Sequence, residues 1–111
     1  MVLATIVLNK IDCLDELLHS FAEKGIKGAT ILDSTGMAHA LSDEEDLRFI
    51  ASLRMILNPE RESSKTIFMV AEDEQIPLIS KIVNEVTGGL NQPDTGIMFC
   101  LPINYAEGMG K

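Results

Sequence analysis

The sequence has no tryptophan, one tyrosine and four phenylalanines among its 111 residues. A core built from it cannot be aromatic and must come from Ile, Leu, Val and Met. Cysteine is equally scarce. Cys13 and Cys100 stand far apart without a C-x-x-C pair, which excludes a disulfide framework and a zinc signature. They read as two reduced, partly buried thiols of a cytosolic protein. There is also no Lys/Arg cluster: nine Lys and Arg face seventeen Asp and Glu, for a net charge of -8. The electrostatic footprint of a nucleic-acid binder is missing, and an acidic surface disfavours anionic membranes and polyphosphates. No apolar run reaches the length of a membrane span. Met1 to Leu8 is apolar but short, and Asn9, Lys10 and Asp12 follow directly. With no basic lead and no cleavage site, this stretch is not expected to be a signal peptide. A cytoplasmic location is expected.

What is present is globular. A hydrophobic share of 46% with 23% charged residues suits one small domain spanning residues 1–111. Val2 to Leu8 is a continuous, β-branched apolar run and reads as a buried strand. Asp12 is expected to cap the following helix, whose apolar face is Leu14, Leu17, Leu18 and Phe21. Gly25 stops this helix, with Ile26 as its hydrophobic partner. A second strand runs from Gly28 to Asp33. After a loop, Ser42 and Glu45 form a capping-box pattern for an amphipathic helix over 43–57, which Asn58-Pro59 ends. Lys65 to Val70 is a third strand. Asp73 is expected to cap a further helix with Ile76, Ile79, Ile82, Val83 and Val86 on one face. Pro77 must lie in or near the first turn of that helix, because an interior position costs about 3 kcal/mol. Gly88-Gly89 ends it, and Ile97 to Leu101 is a fourth strand broken by Pro102.

The chain is a disguised repeat. Thr5-Ile6-Val7 matches Thr66-Ile67-Phe68, and Asp12 matches Asp73 at the same offset. Two β-α-β halves of this size interleave into an antiparallel four-stranded sheet with both helices on one face. The expected fold is therefore α+β: a ferredoxin-like βαββαβ sandwich with an extra helix between the second and third strands. Half-exposed strands alternate polar and apolar residues, and these do not. The second sheet face is accordingly expected to pack against sister subunits.

Two short loops draw attention. Thr35-Gly36 and Thr95-Gly96 are expected to end the two half-units at comparable places. Backbone N–H groups near a glycine can approach an anion closely, and ordinary turn chemistry explains the same residues. His19 lies beside the apolar stripe of its helix and reads as a surface histidine. His39 precedes the acidic helix start without metal-ligand spacing. Met37, Met55, Met69, Met98 and Met109 read as packing residues. No nucleophile elbow or Cys-His arrangement emerges, and paired carboxylates occur only where a helix dipole favours them. No catalytic residue and no metal site is expected, and the chain does not read as an enzyme.

Leu14 to Met37, LDELLHSFAEKGIKGATILDSTGM, resembles the first helix and second strand of the nitrogen regulatory protein P-II family. The shared features are a helix ending in Gly25-Ile26-Lys27-Gly28 and a strand running into the loop at Thr35-Gly36. Ile67 to Val86 resembles that family's third strand and acidic-capped second helix. Gly96 to Pro102 resembles its last core strand, which leaves a glycine-rich loop and ends in proline. The resemblance implies a non-catalytic regulatory protein, a homotrimer with small-ligand sites in the clefts between subunits. Thr35, Gly36 and Met37 would lie on one side of a cleft and Asp94, Thr95 and Gly96 on the other. It further implies an adenine nucleotide as the ligand and a regulated partner protein. The segment 34–63, with Leu47, Arg48, Phe49 and Arg54, would be the partner-facing surface. Three features depart from the family. Asp94-Thr95-Gly96-Ile97 stands where the family has Gly-Asp-Gly-Lys, so isoleucine replaces a phosphate-binding lysine. Glu107-Gly108-Met109-Gly110 has none of the family's C-terminal basic residues. The long flexible loop, with its modified tyrosine, gives way to a helix-like pattern. Each loss removes charge-assisted contacts to a polyphosphate or the mobile arm. Three other readings stay open: a ligand-independent interaction module, an amino-acid-sensing domain, and a metal-handling protein like the trimeric divalent-cation tolerance proteins.

Overall fold

The computed structural model describes residues 1–37 and 63–109. Four strands, β1 (Val2–Leu8), β2 (Ala29–Ser34), β3 (Ser64–Ala71) and β4 (Gly96–Pro102), alternate with two helices, α1 (Leu14–Glu23) and α2 (Ile76–Thr87). All strand pairs are antiparallel and the sheet order is β2-β3-β1-β4. The described residues thus form an α+β sandwich of one sheet and two helices, compatible with the ferredoxin-like class. The expected helix over 43–57 lies outside the described residues.

Register explains the core. Ile6 on β1 stands between Ile67 of β3 and Met98 of β4, and Ala4 between Met69 and Cys100. With side chains alternating along each strand, Val2, Ala4, Ile6 and Leu8 share one face with Ile67, Met69 and Ala71. That face packs on Leu17 and Phe21 of α1 and Ile79, Ile82 and Val83 of α2. The core is aliphatic except for Phe21, as the composition requires.

The helix ends show why each element stops. Ile26 donates its backbone N–H to the Phe21 carbonyl at 2.8 Å and Gly25 to that of Ala22 at 3.1 Å. This is the Schellman pattern, with Gly25 at φ +83° and Ile26 and Phe21 both buried. Gly88 ends α2 in the left-handed region, and Pro77 occupies the first turn as predicted, where its missing N–H costs nothing.

The expected caps are wrong in both halves. Each helix is entered through a 3₁₀ turn, Ile11–Cys13 and Asp73–Gln75, so Asp12 and Asp73 lie inside the turns. Neither helix start at Asp12 has a side-chain cap. In the second half Glu72 is the cap. Its side chain accepts from the Gln75 backbone, and Gln75 Oε1 accepts from the Glu72 N–H at 2.9 Å. Carboxylates still cluster at the positive end of both helices, one residue earlier or later than the pattern alone suggests. The methionines also divide. Met69 is buried and Met98 packs on the core, whereas Met37 and Met109 are exposed and are not packing residues of this chain. Met55 lies outside the described residues.

Candidate functional site

The two glycine loops are not equivalent in the repeat, contrary to expectation. Thr35-Gly36 follows the end of β2, and Thr95-Gly96 opens β4. Topology nevertheless brings them to one end of the sheet. Leu8, the last residue of β1, pairs with Gly96 on one side and Lys65 on the other, and Asp33 pairs with Lys65. Both loops therefore emerge beside the end of β1, but on the two outer strands. Three inter-strand spacings separate those strands, about 14 Å. Within one chain the loops share an end of the sheet and do not meet.

The Thr95 loop is a tightly built turn. Thr95 is buried, and its carbonyl accepts the backbone N–H of Asn9 at 3.0 Å and of Lys10 at 3.1 Å. Its hydroxyl donates to the Pro93 carbonyl at 3.4 Å. Asp94 adopts φ +61°, a conformation that Asp tolerates better than most residues. Gly96 lies at φ +148°, and a Cβ there would overlap the Val7 carbonyl oxygen. Its glycine is thus explained by the approach of β4 to β1.

Lys10 is the residue that sequence reasoning passed over. Its Nζ donates to the Thr87 carbonyl at 3.0 Å, where the exposed carbonyls at the end of α2 favour a cation. This contact spans 77 residues, so no local pattern could have signalled it. An ammonium carries three donors, and the backbone N–H of the same lysine is one of the two that hold the Thr95 carbonyl. Two further bonds fix the neighbouring loop: Leu90 N–H to Asn84 Oδ1 at 2.8 Å, and Thr87 Oγ1 to the Val83 carbonyl at 2.7 Å. Lys10→Met keeps the aliphatic stem and removes the charge-assisted bond. A loss of about 1–2 kcal/mol is expected, read as a lower urea midpoint with unchanged slope.

At the other edge Thr35, Gly36 and Met37 are exposed. Just inside them the hydroxyls of Ser34, Ser64 and Thr66 form a cluster: Ser34 and Ser64 at 2.7 Å, Thr66 donating to Ser34 at 2.8 Å. The Asp33–Lys65 ion pair closes the opposite side of the same strands. A shallow apolar hollow of about 310 Å³, lined by Leu3, Gly28, Thr30, Phe68 and Val70, lies at the far end of the sheet from both loops.

The remaining candidates are quickly placed. Leu47, Arg48, Phe49, Arg54 and His39 lie outside the described residues. His19 is a surface residue, its ring Nδ1 bonded to the Asp15 carbonyl at 2.8 Å. Cys13 and Cys100 are free, half-buried thiols, and Cys13 Sγ donates to the Val86 carbonyl at 3.6 Å. Among the described residues no group of three or more His, Cys, Asp or Glu is placed to hold a metal ion, and no helix is long and apolar enough to cross a membrane. Comparison with known proteins finds no matching family model and no curated protein that matches the chain.

Proposed function

We propose that the chain is a P-II-like regulatory protein of the cytoplasm with a ferredoxin-like fold. In this reading it is non-catalytic and assembles as a homotrimer. It senses a small ligand in clefts between subunits and transmits the result to a partner protein through the segment 34–63. The observation that carries this reading is the position of the two loops. Thr35-Gly36 and Thr95-Gly96 leave one end of the sheet from opposite edges. A neighbouring subunit is what can set the first loop of one chain against the second loop of the next. Lys10, whose backbone N–H helps to hold the Thr95 carbonyl of that second loop, adds a cation at the Thr87 carbonyl that ends α2. An adenine nucleotide is the ligand class to test first.

A ligand that binds only the folded assembly raises its stability by RT ln(1 + [L]/Kd), about 2.7 kcal/mol at a hundredfold excess over Kd. The expected result is a rise in melting temperature of several degrees with one of ATP, ADP, AMP or a cyclic nucleotide. No shift with any of the four retires the nucleotide ligand. Native mass spectrometry of the assembled protein then shows whether another small molecule travels with it.

A second reading has its own support. The Thr95 carbonyl is bonded within the fold, and the close approach of Gly96 to β1 accounts for its glycine, so turn chemistry explains both residues. Under this reading the assembly displays a surface to a partner and no ligand is needed. Binding to a regulated partner that does not change when metabolites are added favours it.

A further inference from the structure

Gly28 lacks a side chain that neither its backbone nor its neighbours exclude. On the sheet face turned away from the helices, Thr30, Phe68, Thr5 and Phe99 form one row across the four strands, and Val70, Leu3 and Leu101 belong to the next. Ala29 pairs with Met69, so the β2 end of that second row falls at Gly28. The other three positions of the row hold large apolar side chains. The missing one leaves the hollow of about 310 Å³ beside Leu3, Thr30, Phe68 and Val70. Gly25 stands at φ +83°, and Gly96 has no room for a Cβ. Gly28 is not in the left-handed region, and a Cβ added to it meets nothing within 4 Å. A side chain there is free of strain and gains contacts by filling the hollow. Its absence keeps the space open.

Three features define what fits. The lining carries no charge, and a charged group laid on it loses water without gaining a partner. The hollow is shallow with Phe68 in its wall, which suits a flat ring better than a branched chain. Its one side-chain polar group is the exposed Thr30 hydroxyl, which can both donate and accept.

We propose that this hollow is a binding site for a small neutral aromatic molecule with one hydroxyl group. The ring lies over Gly28 against Leu3, Phe68 and Val70, and the hydroxyl bonds Thr30. At about 310 Å³ the space is at the lower end for ligand pockets, so it takes a single ring and not a nucleotide. The site lies at the far end of the sheet from the Thr35 and Thr95 loops. It goes beyond the reading above, since it needs neither the cleft between subunits nor a second copy.

The test is an NMR titration of the full chain, followed at its amides and methyl groups, with p-cresol as the probe and toluene and benzoate as controls. Saturable shifts at Gly28, Thr30, Leu3 and Val70 are expected with p-cresol, with Kd on the order of 0.1–1 mM for so few atoms. Toluene has the ring without the hydroxyl and binds about two- to tenfold more weakly. Benzoate is charged and does not saturate. Thr30→Val removes the difference between p-cresol and toluene. Gly28→Leu fills the space and weakens both at least about tenfold, while its melting temperature does not fall, because no atom has to be displaced. Shifts that climb without saturating, or that map to the Thr35 and Thr95 loops instead, overturn the proposal. So does a folded Gly28→Leu that binds like the parent. Should that variant fail to fold, equal affinities for p-cresol and toluene in the parent overturn it. The rival occupant is a side chain of a second copy. In that case the same signals move with protein concentration alone and p-cresol binds more weakly as the chain assembles, which also overturns the proposal.

Discussion

Gly96→Ala is expected to destabilise the protein by about 2–4 kcal/mol, enough to lower the melting temperature by roughly 10–20 °C for a domain of this size. Two costs combine. At φ +148° a residue with a side chain is strained wherever it sits. The new methyl would also overlap the backbone oxygen of Val7 and crowd Leu8 Cα at 3.3 Å. Neither neighbour can swing aside, since both are backbone of an inner strand of the sheet and each is paired on β1's other side, Val7 with Thr66 and Leu8 with Lys65. The strand β4 must then retreat from β1 at its first residue. That loosens the Thr95 carbonyl from Asn9 and Lys10. The readout is a thermal melt together with amide exchange of Asn9 and Lys10, which should accelerate while exchange in the β1–β3 pairing is retained. Gly25→Ala is a useful contrast. It also stands at positive φ, but no atom lies within 4 Å of its added Cβ. Only the conformational cost applies there, about 1 kcal/mol.

The contrast shows what a sequence discloses. Gly25 was legible because a helix stop is local: an apolar stripe, a glycine and an apolar residue follow one another in the chain. Gly96 was legible as a turn glycine, but its reason was not, because the atom it avoids belongs to Val7, eighty-nine residues earlier. The alternation of elements and the buried face of each helix followed from spacing, and Pro77 was placed correctly from its own stereochemistry. The caps failed because two 3₁₀ turns precede the helices and shift their starts. Such a shift leaves the acidic composition unchanged. At the candidate site, the apolar strands pointed to a second sheet face without polar cover, but only register shows that Thr5 stands between Phe68 and Phe99. Lys10 was invisible for the same reason, since its partner is the backbone carbonyl of Thr87, which a residue of any type at that position would have supplied.

Phe21→Ala is expected to cost about 3–5 kcal/mol, a large share of the 5–15 kcal/mol that holds a typical domain together. Phe21 is 1% exposed and is the only described phenylalanine in the helix-facing core. Its removal leaves a void among aliphatic side chains held in place by four strands and by α2. Its carbonyl also receives the Ile26 N–H that closes α1, and the alanine variant retains that bond. The loss therefore reports packing, and urea denaturation should show a lower midpoint with an unchanged slope. Phe99→Ala supplies the comparison. Phe99 sits on the opposite sheet face at 41% exposed, so truncation in a dilute, isolated chain costs less, about 1 kcal/mol. If a second copy covers that face, the cost of losing Phe99 grows with protein concentration, because burial there occurs on assembly. The cost of losing Phe21 is already incurred within one chain, since its burial is complete there, and truncating it leaves the concentration dependence set by assembly as it was. Measuring both variants across concentrations thus separates the core that one polypeptide builds for itself from the core that it completes with a neighbour.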